Sequence, residues 1–221
     1  MNNFASLCIL AWKRPEKLVS TLKTLHETLD YPAEVIINFD GGDMSALYAT
    51  NTDYYSKAII NRGENRGIAK AFENCLSLTE GKYIFKVDAD LIFYPHWLSK
   101  AVECLETHPD VKAVSLFNYR HHDPKDKRFN VLEERDNCFI VDDFVSSIYG
   151  FRAEDKEKLL SRISEDGNHL NIGGLLAITK EDYVTTTFGY KESSFVYIDK
   201  NGQGQKMGMH DKPLIFGGKN D

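Results

Sequence analysis

Two carboxylates one residue apart, Asp88-Ala89-Asp90, follow the strand-like run Tyr83–Val87. On extended backbone, side chains at i and i+2 leave on the same side. Asp88 and Asp90 can therefore face one point just past the end of a strand. Two hard oxygen donors so placed suit Mg²⁺ or Mn²⁺ carrying phosphate oxygens. The plainer alternative is a solvated turn, with Asp90 capping the next segment. Asp40 ends a second apolar run, Glu34–Phe39, and is followed by Gly41-Gly42. A carboxylate there can accept hydrogen bonds from a ribose or a base N–H, or close an Asx turn. The stretch Asn61–Lys70 (NRGENRGIAK) gathers Arg62, Arg66 and Lys70 at the start of a helix-like segment. Helix N–H groups, the helix dipole and guanidinium donors together suit a diphosphate.

The elements that must position these groups alternate. Phe4–Ala11 is a nearly continuous apolar run, the pattern of a strand buried on both faces. Pro15 opens a helix with Leu18, Leu22 and Leu25 on one stripe. Strands are expected at 34–39, 57–61 and 83–87, with a helix at 68–78 before the last. A further helix runs from about Pro95 to Thr107, and a strand from Val111 to Phe117. This β-α-β-β-α-β order predicts a mostly parallel sheet flanked by helices. In such a sheet, ligands bind beyond the carboxyl ends of the strands, where Asp40 and Asp88 fall. Beyond it, 118–136 reads as exposed loop, Cys138–Val141 as a strand and 153–163 as a helix. Asn171–Thr179 reads as a strand, Lys180–Phe188 as a short helix, and the tail from Lys200 as glycine-rich and polar.

Composition narrows the classes. The chain has 221 residues, 42% hydrophobic, and a net charge of −6. That fits one α/β domain over 1–221. The acidic balance gives no general attraction to nucleic acid or anionic lipid, without excluding a local basic patch. No apolar run is long enough to span a bilayer, and Met1-Asn2-Asn3 shows no signal-peptide pattern. The four scattered cysteines, Cys8, Cys75, Cys104 and Cys138, read as reduced thiols of a cytoplasmic protein, soluble or peripheral at a membrane surface. The trio His121, His122 and Asp123 reads as solvated loop.

Taken in order, these motifs resemble a GT-A fold glycosyltransferase, and within that fold glycosyltransferase family 2. The marks are Trp12-Lys13-Arg14-Pro15 after the first strand, the strand ending in Asp40, Asn65-Arg66-Gly67-Ile68-Ala69-Lys70-Ala71, Gly81-Lys82-Tyr83-Ile84 and Asp88-Ala89-Asp90. Gly173-Gly174-Leu175 through Tyr183 resembles the acceptor-side strand and helix, and Gly189–Asp199 the segment ending in the family's Glu-Asp motif. The resemblance implies a Rossmann-like GT-A sheet and transfer of a sugar from a nucleoside diphosphate sugar, UDP-linked, to a hydroxyl acceptor on a glycan, a lipid-linked sugar or another molecule, with Mn²⁺ or Mg²⁺. It implies that Ala11, Asp40, Asn65, Arg66, Lys70 and Asp88 meet the donor. Asp88 and Asp90 would hold the metal, with His210 as a further ligand from the tail. Asp199 would be the base of an inverting transfer, and Gly173 and Gly174 would lie on the acceptor side; residues 1–117 would form the donor half and 118–221 the acceptor half with a C-terminal lid. The chain departs from the pattern at Phe72-Glu73, often Arg-Asn, and at Ile198, where the family has Glu. Two other readings are a nucleotidyltransferase, which wants a glycine-rich loop after the first strand that Ala11–Pro15 lacks, and a non-catalytic relative that binds nucleotide or a protein partner.

Overall fold

The computed structural model describes residues 2–41, 44–116, 130–143, 147–160, 174–181, 183–186, 195–198, 204–207 and 213–215. In chain order the strands are β1 (Asn2–Ala11), β2 (Ala33–Phe39), β3 (Lys57–Ile60), β4 (Gly81–Asp88), β5 (Leu91–Phe93), β6 (Val111–Ser115), β7 (Val131–Glu134), β8 (Cys138–Val141), β9 (Ile148–Arg152), β10 (Leu175–Thr179), β11 (Val184–Thr186), β12 (Phe195–Ile198), β13 (Gly204–Met207) and β14 (Pro213–Ile215). The α-helices are α1 (Pro15–Thr28), α2 (Ser45–Ala49), α3 (Gly67–Leu76) and α4 (Trp97–Thr107).

Nine strands form one sheet in the order β3-β2-β1-β4-β9-β6-β10-β8-β7. The first four are parallel. β9 then runs antiparallel to both β4 and β6, while β10 is parallel to β6. β8 and β7 complete the edge in antiparallel pairing. The sheet is thus mixed rather than mostly parallel. The parallel expectation holds for the part built from alternating strands and helices, and fails where β9 is inserted. β9 comes from the second half of the chain and sits between two strands of the first, so both halves share one sheet.

Burial explains why these residues form strands. Ala5, Leu7, Cys8 and Ile9 of β1 are fully buried, as are Tyr83, Ile84, Phe85 and Val87 of β4. α4 covers one face: Trp97 packs edge-on against Phe85, with ring centroids 6.2 Å apart. α3 covers the other, where Phe72 meets Tyr149 and Phe151 of β9 at 6.0 and 6.5 Å. Gly150 lies opposite Phe85 in the β4–β9 ladder. A methyl there would come within 2.2 Å of the Phe85 ring, so glycine is what lets this strand into the core. All four cysteines are free and buried.

Several local expectations change. Lys180–Phe188 is not a helix: Val184–Thr186 forms β11, antiparallel to β5. Three β-branched residues, Val184, Thr185 and Thr186, pair more readily than they coil. Within the segment read as loop, 131–134 forms β7, and the glycine-rich tail contributes β13 and β14, which pair with β12 in a small antiparallel sheet. Among the described residues no helix is long and apolar enough to cross a membrane.

Candidate active site

The carboxyl ends of β1, β2 and β4 define one edge. Leu10 is in register with Asn38 on one side and Asp88 on the other, so these side chains form a row on the face that α3 covers. Asp40 follows two residues after Asn38 on that face. Its backbone N–H donates to the carbonyl of Ala11 (2.8 Å), which fixes the strand ends together. Ala11 itself is buried.

Asp40 is also buried, and both carboxylate oxygens are engaged. Asn61 Nδ2 donates to Oδ1 (2.6 Å) and the Arg66 N–H donates to Oδ2 (2.9 Å). Asn61 also donates to the Glu64 carbonyl (2.9 Å) and accepts from the Gly63 N–H (3.0 Å). One carboxylate thus ties down the whole 61–66 loop ahead of α3. Asn65 Oδ1 accepts from the Gly67 N–H (2.7 Å), a side-chain bond that covers the first turn of that helix. Gly67 has φ +85, a conformation that favours glycine. The Arg62, Asn65 and Arg66 side chains are exposed around this helix start. Lys70 points along the helix and pairs with Glu73 at 2.8 Å.

Asp88 closes β4, and its N–H donates to the Ser147 carbonyl (2.9 Å). Lys86, two residues earlier and almost fully buried, donates to Asp88 Oδ1. Asp90 sits in the turn after β4 and lies 3.7 Å from the Arg14 guanidinium. Burial pushes the Asp90 carboxyl above its ordinary range, and the negative charge of Asp88 adds to this, against Lys17, Arg14 and Lys86. A partly buried carboxylate disfavoured by a second carboxylate gains from added positive charge, and both donors are hard oxygens of the kind that suit a divalent cation carrying phosphate. Among the described residues no cluster of three or more metal-type side chains forms.

The approach to α1 is unusual. Lys13 and Arg14 both have left-handed backbone, at φ 55 and 51. Consecutive non-glycine residues there carry strain, which clusters at functional sites. The bend turns Trp12 outward: its indole is 50% exposed. A methyl on Gly41, itself at φ +90, would lie 3.1 Å from Trp12 Nε1 and 3.5 Å from the Asn65 nitrogen. Trp12, Gly41 and Asn65 therefore rim one spot beside Asp40. Trp12 was readable only as part of a motif; the signal for a role of its own is an aromatic residue directly after a buried strand. Lys86 and Asn61 were not readable as site residues at all.

Gly174 does not join this group. It opens β10, which runs in the same direction as β4, so it lies at the opposite edge of the sheet from Asp88. Its φ is +143, and a methyl would meet Lys112 Cγ at 2.3 Å; turn geometry explains the glycine. Gly173, Asp199, His210 and the His121–Asp123 trio lie outside the described residues.

The sequence profile of Glycosyl transferase family 2 matches residues 6–152, from β1 through β9. The chain belongs to glycosyl transferase family 2. A curated family relative, the amylovoran biosynthesis glycosyltransferase AmsE of Erwinia amylovora, is 26% identical over 115 residues, covering 50% of this chain and 43% of AmsE. Among solved structures, S. aureus TarS 1-349 in complex with UDP-GlcNAc superposes with a TM-score of 0.60 at 11% identity, over 87% of this chain and 60% of that one. The mannosyltransferase PcManGT of Pyrobaculum calidifontis, in complex with GDP-Man and Mn²⁺, gives 0.56 at 18% identity, over 83% and 59%. This glycosyl transferase family 2 chain thus has the GT-A fold. It spans less than half of AmsE and about three fifths of the two solved chains.

Proposed function

We propose that this chain transfers a sugar from a nucleoside diphosphate sugar, UDP-linked, to a hydroxyl acceptor, with Mn²⁺ or Mg²⁺ bound at Asp88 and Asp90. The observation that carries this reading is the shared edge. The Asp88/Asp90 pair and the loop clamped by Asp40 stand on either side of β1, two strand spacings or about 10 Å apart. The TarS and PcManGT complexes, which hold UDP-GlcNAc and GDP-Man with Mn²⁺, support the same class of donor.

In this reading the half-exposed Trp12 offers a flat face to the base, beside Asp40 and the Asn65 backbone. The first turn of α3 presents the N–H groups that follow Gly67 and a positive dipole to phosphate oxygens, with Arg62 and Arg66 at hand. Asp88 and Asp90 would hold the cation, which when bound supplies positive charge to the departing diphosphate. Arg14, already beside Asp90, adds to that charge. A sugar hydroxyl is a poor nucleophile and needs a carboxylate within hydrogen-bond reach to take its proton. We assign that role to Asp199, which makes the transfer inverting, and we assign His210 as a further ligand to the cation.

The test is turnover of UDP- and GDP-sugars with Mn²⁺ by the wild type, Asp90→Ala and Asp199→Asn. The expected result is UDP-sugar turnover that Asp90→Ala abolishes and Asp199→Asn lowers at least a hundredfold in kcat. Undiminished turnover in Asp90→Ala would sink the metal assignment. Nucleotide binding without turnover in the wild type would point to a non-catalytic binding protein instead.

A further inference from the structure

Lys86 has no part in the proposed transfer, yet it sits directly beneath the site. Lys86 and Asp88 leave β4 on the same face, and the lysine ammonium donates to Asp88 Oδ1. Its side chain is only 4% exposed. Across the ladders it lies between Cys8 of β1 and Tyr149 of β9, and Phe72 of α3 packs on Tyr149. Every other side chain of β4 between Tyr83 and Val87 is apolar and buried. An apolar residue would fill the Lys86 position without the cost of desolvating an ammonium.

The charges around the Asp pair are unusual in their sum. Asp88 and Asp90 contribute two negative charges. Lys86 sits on Asp88, the Arg14 guanidinium is 3.7 Å from Asp90, and Lys17 also acts on Asp90. Three cations facing two carboxylates give a free divalent ion no net attraction. A nucleoside diphosphate brings the missing negative charge.

Building on the donor-site reading, we propose that Lys86 is a positioning residue that occupies Asp88 internally, so that the Asp pair takes a divalent cation only together with a nucleoside diphosphate. Asp88 is held in one orientation by Lys86, with Oδ2 left for the nucleotide side. Lys86 itself is too deeply buried to touch phosphate.

Mn²⁺ binding to the full chain, followed by the electron paramagnetic resonance signal of free Mn²⁺, tests this without any turnover. The variants are Lys86→Met, Lys86→Arg and the double variant Lys86→Met/Asp88→Asn, each with and without UDP. Wild type is expected to bind Mn²⁺ weakly alone and at least tenfold more tightly with UDP. Lys86→Met, with Asp88 released, should bind Mn²⁺ alone about tenfold more tightly than wild type, because a nearby positive charge is gone. Lys86→Arg keeps the charge and should stay with wild type. The double variant replaces a part-buried ion pair by neutral groups of similar volume, an exchange that folded proteins tolerate. It should lose the gain that Lys86→Met shows, since that gain comes through the released Asp88 carboxylate. A Lys86→Met protein no tighter than wild type overturns the proposal, as does a double variant that keeps the Lys86→Met gain, since the gain would then not pass through Asp88. If the wild type takes no Mn²⁺ with either UDP or GDP, the donor-site reading falls and the role of Lys86 with it. If the wild type binds normally and Lys86→Met matches it, only the role of Lys86 falls.

Discussion

Asp40→Asn removes the least material from the site and the most connectivity. The carboxylate accepts from Asn61 Nδ2 at 2.6 Å and from the Arg66 N–H at 2.9 Å. An asparagine keeps one acceptor and turns the other into an NH₂ donor. If the oxygen stays on Arg66, the new NH₂ faces the NH₂ of Asn61. Asn61 can relieve that only by flipping its own amide, which breaks its bonds to Gly63 and the Glu64 carbonyl. The loss is one charge-assisted hydrogen bond plus one buried donor without a partner, about 3 kcal/mol in all. A global cost of that size would lower Tm by about 6–12 °C in a chain of this length. The 61–66 loop is exposed apart from this clamp, however, and it can open locally. Local opening caps the global cost, so the larger effect falls on loop order. Two assays separate the outcomes. Hydrogen exchange at the Arg66 and Gly67 amides should quicken by at least tenfold. Affinity for UDP, which in this reading needs the start of α3 in place, should fall about tenfold, or about 1.4 kcal/mol. An Asp40→Asn protein with wild-type exchange at those amides and wild-type UDP binding would refute the clamp.

Three further outcomes are expected. Trp12→Ala should weaken UDP binding about tenfold, within the ~1–3 kcal/mol of base–aromatic stacking, and leave thermal stability nearly unchanged because the indole is half exposed; calorimetric titration and a melting curve measure the two. Gly150→Ala should destabilise by about 3 kcal/mol, since its methyl would lie 2.2 Å from the buried Phe85 ring, and chemical denaturation reads that directly. At Glu34, burial raises the carboxyl pKa, but hydrogen bonds from Lys57, Ser6 and the Glu80 N–H outweigh it, so the group stays below its ordinary range. A depressed folded pKa gives stability that is present above the unfolded value, about 4.3, and lost as pH falls through the folded value. The Tm difference between wild type and Glu34→Gln should therefore be constant near neutrality and shrink below about pH 4, as a pH series of melting curves would show.

What the sequence made legible was what local pattern controls. β1, α1, β2, α3, β4, α4 and β6 lie where apolar runs and helical stripes put them, because each buries a continuous face, and the half-exposed β3 lies on its short apolar run. Asp88 and Asp90 were legible because period two on a strand is local. β9 was not: with Ile148, Tyr149, Gly150 and Phe151 all buried it shows no alternation, and a glycine in its middle reads as a turn. β7 was hidden by Glu133 and Glu134, which an edge strand paired on one side tolerates. The clamp on Asp40 joins residues 21 and 26 positions away, a distance at which spacing carries no information. Lys86 escaped notice because a lysine in a strand reads as a solvated residue; only the covering by α3 and β9 buries it.

The turn that carries Asp90 is held from both sides by parts of the chain far apart in sequence. On one side, the Leu91 N–H donates to Thr21 Oγ1 (3.0 Å) and the Phe93 N–H to Thr24 Oγ1 (3.2 Å), both on α1. Alternate N–H groups of an extended strand point in opposite directions, so the rest of β5 faces β11, and the Tyr94 N–H reaches the Tyr183 carbonyl at 2.9 Å. α1 begins at the strained Lys13-Arg14 bend, which also sets Arg14 beside Asp90 and Trp12 beside Gly41. β11 belongs to the half of the chain assigned to the acceptor. The carboxylate expected to meet the cation is thus placed by α1 on one flank and by β11 on the other. A shift in either flank moves Asp90 relative to Asp88, whose own place is set by β4 and Lys86. That asymmetry, one carboxylate built into the sheet and one held between two supports distant in sequence, is the physical reason to expect the two aspartates to play different parts.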